Sequence, residues 1–402
     1  MSEKYMKEYE AGFNPRLVME EASRCLLCHD APCSKACPAG TDPAKFIRSV
    51  RFRNFKGAAE TVRINNVLGA ICARVCPTER YCQQGCSRSG IDKPIDIGRI
   101  QRFVTDFEAS MKMEILEKKA PNGKKVAVIG SGPAGLSVAA NLAMEGYSVK
   151  VFEKEAKAGG YLRYGIPEYR LPTSVVDSEI KRIEKLGVEI VLNSKVEDVE
   201  KLKKEYDAVV VACGHSQGKM LPMFAGHRFV KTAVNFLHDV KKKKGNVKVP
   251  EHVLVIGGGD VAMDTVTSLK LMGVKQVTDV VYETFEEFKA SKKELQGAQA
   301  EGVSIIDGYV PVSLKGKTVR FTHRFVPAEL KVKADLIILA VGQYTEAGLL
   351  GYEVNKLQEV TNAKPNVFVC GDVAPGGEKT VVYAVRSAKE VAYAVKKYLG
   401  GK

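Results

Sequence analysis

The chain has 402 residues and a formal net charge of +14 at pH 7, with 45% hydrophobic and 27% charged residues. This length and balance are typical of a globular protein with more than one domain, and they exclude a disordered chain or a short disulfide-stapled one. No run of 18 apolar residues occurs, and the opening MSEKYMKEYE has no apolar export signal. We therefore expect a cytoplasmic protein that makes no use of a membrane.

The positive charge is scattered along the chain, and its densest run, Lys241 to Lys244, precedes a predicted strand. A charge run in such a place is most often a solvated loop, and no nucleic-acid motif accompanies it. We expect no nucleic-acid partner. The excess charge is better suited to attract an acidic dinucleotide or an acidic partner surface.

The first 115 residues are predicted to be helical, with apolar residues at three- and four-residue intervals in 43–54 and 97–107. They also carry two cysteine runs, Cys25-x2-Cys28-x4-Cys33-x3-Cys37 and Cys72-x3-Cys76-x5-Cys82-x3-Cys86. Short spacings that end in Cys-Pro pairs indicate iron–sulfur ligation. Structural zinc stays open as the main alternative, since its sites also use C-x2-C pairs, whereas disulfides are disfavoured without an export signal.

A polar stretch at 117–125 predicts a domain boundary, after which a strand at 126–129 is expected to be buried on both faces. A second strand at 148–152 ends at Glu153, at the spacing expected for the acidic residue that binds ribose. Between them lie a helix at 136–144 and a complete G-x-G-x-x-G, formed by Gly130, Ser131, Gly132, Pro133, Ala134 and Gly135. Together these elements predict a dinucleotide site, unless the turn has lost its ligand.

A second copy begins with a strand at 253–256 and continues with a helix at 263–272 and a strand at 278–282 that ends at Glu283. Its turn contains Gly257, Gly258, Gly259, Asp260 and Val261, with alanine at the third glycine position. Two such units suggest a flavin beside a nicotinamide, a pair that exchanges hydride without a catalytic side chain.

Glu283 favours NADH, because the extra phosphate of NADPH would meet like charge and would need arginine nearby. The segment 282–287 contains no arginine, although Lys289 and Lys292 follow it. The alternative is that Glu283 is merely exposed on a loop.

These segments resemble the flavoprotein subunit of bacterial NAD-dependent dihydropyrimidine dehydrogenase. The resemblance covers nearly the whole chain and is carried by CLLCHDAPC, CARVCPTERYCQQGC, PIDIGRIQRF, VAVIGSGPAGL, GGYLRYGIPEYRLP, VLVIGGGDVAMD, AVGQ and VFVCGDV. The same segments are similar, less closely, to the small subunit of glutamate synthase. The resemblance implies an α/β chain with an all-helical domain bearing two 4Fe–4S clusters at 1–118, followed by two Rossmann-like domains. The FAD domain would comprise 124–224 and 343–402, with an NAD domain at 225–342 inserted in it.

By the same resemblance, one cluster is held by Cys25, Cys28, Cys33 and Cys86, and the other by Cys37, Cys76, Cys82 and Gln101. Glutamate synthase relatives place glutamate at position 101, and an ordinary solvent-facing glutamine is the alternative there. Cys72 is left without a ligand role, and we expect a small buried hydrophobe.

The resemblance also assigns contacts with the two dinucleotides. Those to FAD are Gly160, Tyr161, Leu162, Ile166, Arg170, Val196, Ala212, Gly214, Gly371, Asp372, Thr380 and Val381, and Gly342 is assigned to NAD. Cys213 and Cys370 lack a CxxC partner, which disfavours a disulfide reductase.

The implied function is transfer of electrons from NADH through FAD and two 4Fe–4S clusters to a separate FMN and iron–sulfur subunit. That partner would reduce uracil or thymine to the 5,6-dihydro form. Two alternatives stay open. The chain could feed glutamate synthase or ferredoxin instead, or it could be a zinc-binding scaffold with relic nucleotide sites.

Overall fold

The structure of the chain is a computed structural model that describes residues 3–362 and 365–400. Short 3-10 helices cover Thr78–Arg80, Ser87–Gly90, Pro222–Phe224, Phe285–Glu287, Ala347–Leu350 and Gly371–Val373. The α-helices are α1 (Glu3–Met6), α2 (Pro15–Ser23), α3 (Pro32–Lys35), α4 (Pro43–Arg51), α5 (Phe55–Asn65), α6 (Gly69–Val75), α7 (Ile97–Ser110), α8 (Pro133–Met144), α9 (Tyr161–Tyr164), α10 (Thr173–Lys185), α11 (Val199–Glu205), α12 (Ala233–Lys242), α13 (Asp260–Leu271), α14 (Lys292–Ala300) and α15 (Val381–Tyr398). Within the described ranges, no helix has the length and apolar character needed to cross a bilayer.

The strands form two parallel five-stranded sheets and two small antiparallel ones. They are β1 (Lys125–Ile129), β2 (Ser148–Phe152), β3 (Glu189–Val191), β4 (Ala208–Val211), β5 (Gln217–Gly218), β6 (Val230–Thr232), β7 (His252–Ile256), β8 (Gln276–Val280), β9 (Ser304–Ile306), β10 (Tyr309–Lys315), β11 (Thr318–His323), β12 (Glu329–Lys333), β13 (Leu336–Leu339), β14 (Gln343–Tyr344) and β15 (Val367–Val369). The parallel sheets have the orders β15-β4-β1-β2-β3 and β6-β13-β7-β8-β9, and the antiparallel ones are β10-β11-β12 and β14-β5. The central strand of each parallel sheet leads into a glycine-rich turn, which confirms the predicted α/β class.

The chain divides into two compact units. The smaller unit comprises residues 3–9, 164–172 and 216–344, and it contains the sheet built around β7. The larger unit comprises residues 10–163, 173–215, 345–362 and 365–400. It contains both the cysteine-bearing helices and the sheet built around β1.

The helices of the cysteine-rich segment begin at side-chain caps. Asn14, Asp42, Asn54 and Asp96 each accept a hydrogen bond from a backbone N–H in the first turn of the helix that follows. The apolar faces of α2, α4, α5 and α7 then pack into one core. The helix predicted at 97–107 lies within α7, and the one predicted at 43–54 ends earlier, at Arg51.

Two expectations for the smaller unit are wrong in detail. The strand predicted at 278–282 is β8, which ends at Val280, so Glu283 follows it by three residues. Lys241 does not lie in a solvated loop, because α12 extends to Lys242 and the Lys241 side chain is buried. Its ammonium group pairs with Glu168 at 2.8 Å and donates to the Leu171 carbonyl at 2.6 Å, and these two partners offset the cost of burying the charge.

Candidate functional site

Four thiols of the larger unit form a first cysteine set: Cys25, Cys28, Cys33 and Cys86. Burial raises the pKa of Cys33 to about 11, and the neighbouring Cys86 and Cys25 thiols add to this rise. Burial likewise raises the pKa of Cys25, again with contributions from Cys86 and Cys28. The two cysteine runs of the sequence therefore meet in this set, and the backbone N–H of Ile95 points at the Cys86 sulfur, 3.5 Å away.

The second cysteine set consists of Cys37, Cys76, Cys82 and Cys72. Burial raises the pKa of Cys76 well above its ordinary value, and the Cys72, Cys82 and Cys37 thiols raise it further. Burial also raises the pKa of Cys72 to about 12, with Cys37 among its electrostatic neighbours. Cys72 is buried, in agreement with its predicted character, yet it stands beside the thiols that the sequence assigned as ligands.

Gln101 lies on α7 and is largely buried, so it is not a solvent-facing glutamine. Its Nε2 donates a hydrogen bond to the Gly69 carbonyl at 2.8 Å. Gly69 begins α6, the helix that carries Cys72 and leads to Cys76. The amide group of Gln101 is thus held against the helix that supplies the second cysteine set.

Among the residues that the structure describes, no group of three or more Cys, His, Asp or Glu side chains is arranged to hold a metal ion. Ligands of one ion converge on a point, as sulfurs do about 2.3 Å from zinc, whereas a 4Fe–4S cluster takes a thiolate on each of several irons. Thiols with raised pKa values are protonated near neutral pH, so binding of a cluster would release protons. As a donor set, the cysteines fit iron–sulfur clusters.

The second cysteine set is close to the last helix, α15, within the larger unit. The Tyr81 hydroxyl donates to Glu378 Oε2 at 2.5 Å, and the Tyr81 ring packs on Tyr383 with centroids 6.0 Å apart. Lys389 Nζ donates to the Ala39 carbonyl at 2.8 Å, and burial lowers the pKa of this lysine, while Cys37 opposes that shift. Sequence reasoning missed both Tyr81 and Lys389, because no local motif marks contacts between segments hundreds of residues apart.

The first glycine-rich turn joins β1 to α8. A Cβ on Gly135 would lie 1.9 Å from the Gly130 carbonyl oxygen, so the helix passes too close for any side chain at this position. A Cβ on Gly132 would meet nothing within 4 Å, which leaves its backbone open to a phosphate. Pro133 begins the helix, and Ala134 lies in its first turn, where free amide groups favour negative charge.

Glu153 is buried against the same turn. Its Oε2 accepts a hydrogen bond from the Ser131 N–H at 2.9 Å, and its Oε1 accepts one from the Glu155 N–H at 2.9 Å. The Ser131 hydroxyl also bonds to Glu153. The carboxylate that the sequence assigned to the ribose is therefore fixed beside the turn by backbone groups.

Other predicted FAD residues gather around the ends of β1, β4 and β15 in the larger unit. A Cβ on Gly160 would lie 2.7 Å from Gly132 Cα, and one on Gly371 would lie 2.7 Å from Ala134 Cβ. These close approaches bring the segments that follow β2 and β15 against the turn. Ala212 and Gly214 follow β4, Tyr161 and Leu162 lie in α9, Val196 packs into the core beneath β4, and Thr380 caps α15 at Val381.

Asp372 lies just after β15, within a 3-10 helix. Burial raises the pKa of its carboxyl group, and the nearby His215 and Lys379 oppose that shift. His215 is a neighbour that the sequence did not predict, and its Nε2 lies 3.1 Å from the Gln358 carbonyl.

Ile166 and Arg170 were predicted with the flavin segment, but both belong to the smaller unit. Arg170 makes two hydrogen bonds to Asp264, at 2.7 and 2.8 Å, and its other terminal nitrogen lies 3.0 Å from Glu294. The guanidinium group therefore ties α13 to α14.

The second glycine-rich turn joins β7 to α13 in the smaller unit. A Cβ on Gly258 would lie 2.9 Å from Glu283 Oε2, so this carboxylate rests over the turn. A Cβ on Gly259 would meet nothing within 4 Å, whereas one on Gly257 would lie 2.5 Å from the Ala340 carbonyl. Asp260 and Val261 begin α13, and Asp260 accepts hydrogen bonds from Ser291. Gly342 follows β13 with a φ of +106°, a backbone conformation that favours glycine.

Two cations contact the segment 282–287. Lys289 Nζ lies 2.7 Å from Glu283 Oε1. Arg324, from the turn between β11 and β12, places its Cζ 4.1 Å from the centre of the Tyr282 ring. No local pattern marks Arg324, because it is 41 residues downstream of Glu283.

Two parallel sheets, each with a glycine-rich turn at its central strand and a carboxylate over that turn, define a pyridine-nucleotide oxidoreductase. The protein family described as pyridine nucleotide-disulphide oxidoreductase matches residues 124–388, and the one described as dihydropyrimidine dehydrogenase domain II, 4Fe-4S cluster, matches residues 2–113. The crystal structure of thioredoxin reductase from T. acidophilum matches with a TM-score of 0.56 at 18% identity, covering 68% of this chain and 98% of that one. That likeness shows the fold alone.

The NAD-dependent dihydropyrimidine dehydrogenase subunit PreT of Escherichia coli O157:H7 is 53% identical over 405 residues, which cover 99% of this chain and 98% of that protein. The corresponding subunit of Salmonella typhimurium is 51% identical over 403 residues, covering 98% and 97%. The chain belongs to the family of NAD-dependent dihydropyrimidine dehydrogenase subunits, which confirms the resemblance seen in the sequence. The matched families indicate iron–sulfur and flavin or nicotinamide cofactors.

Proposed function

We propose that the chain is the electron-input subunit of an NADH-dependent dihydropyrimidine dehydrogenase. FAD would bind at the first glycine-rich turn, NADH at the second, and two 4Fe–4S clusters at the two cysteine sets. One observation carries the proposal: the first turn and both cysteine sets belong to one compact unit, in which α15 contacts the residues around the second set. When bound, a flavin accepts a hydride and passes electrons singly to one-electron carriers.

The residues of the chain have definite roles in this proposal. The open backbone at Gly132 and the N-terminus of α8 would receive the FAD pyrophosphate, and Glu153 would accept hydrogen bonds from the ribose. Thr380 caps the N-terminus of α15, whose first amide groups favour negative charge nearby. The second cysteine set lies beside Tyr81 and Lys389, which link it to α15.

For the clusters, we propose Cys25, Cys28, Cys33 and Cys86 at one site and Cys37, Cys76, Cys82 and Gln101 at the other. The influence of Cys86 on Cys25 and Cys33, and that of Cys82 and Cys37 on Cys76, supports this division. Cys82 also has Cys33 of the first set among its electrostatic neighbours, so the two sets are adjacent. For the second site, Cys72 competes with Gln101, because Cys72 lies in α6 near Cys37 and Gln101 is hydrogen-bonded to the first residue of the same helix.

The partner in this proposal is an FMN and iron–sulfur subunit that reduces uracil or thymine to the 5,6-dihydro form. The relatives are named as subunits of a dehydrogenase, which supports a division of labour between polypeptides. The described residues of this chain form the helical segment and the dinucleotide units, which suit electron input.

The test is anaerobic purification with the native partner, followed by an assay for NADH-dependent formation of dihydrouracil. We expect an iron- and flavin-containing protein whose flavin absorbance is bleached by NADH and whose complex reduces uracil. A colourless protein with stoichiometric zinc would refute the proposal. Copurification with a glutamate synthase subunit, without uracil reduction, would show that glutamate synthase and not the pyrimidine-reducing subunit is the electron acceptor.

Cysteine variants sharpen this test. Cys25→Ser should lower the iron content by about half, because it removes a ligand of one of two clusters. Cys213→Ser is the matched control, since Cys213 lies in the larger unit but outside both cysteine sets. Equal iron loss in both variants would contradict the assignment.

A further inference from the structure

The surroundings of Glu283 contain more charge than the segment 282–287 suggests. The Cζ atom of Arg324 lies over the Tyr282 ring, and its Nη1 donates to the Tyr282 carbonyl at 3.1 Å. Its side chain is only 18% exposed, so the guanidinium group is held in place beside the residues that end β8. This is the kind of oriented arginine that a 2′-phosphate on the adenine ribose would require.

That arginine is already paired. Arg324 Nη1 lies 2.7 Å from Glu287 Oε2, and the arginine lowers the pKa of the Glu287 carboxyl group. Glu287 is itself positioned by a capping box, in which its carboxylate accepts the Thr284 N–H at 3.2 Å. The carboxylate therefore stands at a fixed place against the guanidinium group.

We propose that Glu287 is a selectivity-determining residue of the nicotinamide site: it neutralises Arg324 and so withholds this cation from the 2′-phosphate of NADPH. Glu283 pairs with Lys289 only weakly, because that lysine is exposed, but the charge of Glu283 itself repels the phosphate. Selectivity for NADH thus depends on Glu287 occupying Arg324, and not on an absence of arginine. The inference rests on the proposed function, in which the second turn binds the dinucleotide.

The test uses the full-length protein with its cofactors and the variants Glu287→Gln and Glu286→Gln. Glutamine keeps an acceptor for the Thr284 N–H, so the capping box survives. Glu286→Gln is the matched control, because it changes the net charge equally at the exposed neighbouring position. The probes are adenosine 2′,5′-bisphosphate and 5′-AMP, whose dissociation constants are measured by titration calorimetry.

We expect Glu287→Gln to bind adenosine 2′,5′-bisphosphate about ten-fold more tightly than the parent protein does, with affinity for 5′-AMP unchanged. Adding Arg324→Gln should abolish the gain, because the freed cation is then absent. The same affinity ratio in Glu287→Gln and Glu286→Gln would overturn the inference while leaving the nicotinamide site intact. If neither probe binds the parent protein, the proposed nicotinamide site itself is wrong, and the inference fails with it.

Discussion

The two glycine-rich turns differ chiefly in how their acidic residue is held. Glu153 is 5% exposed and accepts two backbone N–H groups, whereas Glu283 pairs with Lys289, whose side chain is 76% exposed. Buried bonds to backbone hold a carboxylate rigidly, while an exposed ion pair is weak and opens readily. The first arrangement suits a cofactor that stays bound, and the second suits a dinucleotide that is exchanged in every turnover.

The third glycine position of the motif, Gly135 in the first turn, gives the most severe test of this comparison. Gly135→Ala would place a methyl group 1.9 Å from the Gly130 carbonyl oxygen. We therefore expect the unfolding free energy to fall by about 3 kcal/mol and the variant to lose FAD. At the corresponding position of the second turn, Ala262 is fully buried and accommodated. Ala262→Gly should therefore cost only about 1 kcal/mol. Urea unfolding measures the stability of the two variants, and flavin analysis measures their FAD content. Similar losses of stability in Gly135→Ala and Ala262→Gly would contradict the difference in packing.

The acidic residues themselves give the next largest effect. In Glu153→Gln, an amide NH₂ group replaces one oxygen that accepts a backbone N–H, so two donors face each other. We therefore expect the unfolding free energy to fall by about 2 kcal/mol and FAD to be retained less tightly. Glu283→Gln should leave stability nearly unchanged, because its partner is exposed. Denaturant unfolding with flavin quantification checks this, and a greater loss for Glu283→Gln would reverse the comparison.

β2 and β8 are the strands that follow the first and second glycine-rich turns. They differ at an equivalent, fully buried position, which is Val151 in β2 and Asp279 in β8. Neither carboxyl oxygen of Asp279 has a hydrogen-bond partner, and burial raises its pKa well above the ordinary value. Because the pKa of this group is raised in the folded state, its own contribution to stability is most favourable below the unfolded pKa of about 4 and becomes unfavourable as the pH rises above that value.

Asp279→Val should therefore raise the unfolding free energy by about 1–2 kcal/mol at pH 7 and flatten its dependence on pH. Chemical unfolding of both proteins between pH 4 and 8 measures this. A variant that loses stability at pH 7 would contradict this expectation.

The smallest expected effect concerns the exposed ion pair. Lys289→Ala should change the melting temperature by no more than experimental error, because a salt bridge with so exposed a lysine contributes little. Thermal unfolding monitored by circular dichroism is sufficient. A drop of several degrees would mean that Glu283 is held as firmly as Glu153, and the contrast between the two turns would disappear.

Much of the fold could be predicted because the relevant signals are local. Short apolar strands, glycine-rich turns and the helices after them follow from neighbouring residues, and β1, β2, β7, α8 and α13 lie where these patterns placed them, within a few residues. The end of β8 was missed, since nothing in the run at 278–282 marks where sheet pairing stops.

Burial and charge pairing were harder to predict, since they depend on segments distant in sequence. Lys241 belongs to a lysine run that looks solvated, yet Glu168 and Leu171 give its ammonium group buried partners. Arg170 sits in a segment that resembles a flavin contact, yet it pairs with Asp264 and Glu294.

By itself, the sequence determined the two dinucleotide units, the cysteine-rich helical segment and the family, because each is encoded in a contiguous motif. Only the tertiary structure decided that Cys72 stands beside Cys76 and that Arg324 lies beside Tyr282. The physical reason is that electrostatic interactions act through space over a few ångströms. No spacing along the chain specifies which distant side chains folding will bring within that range.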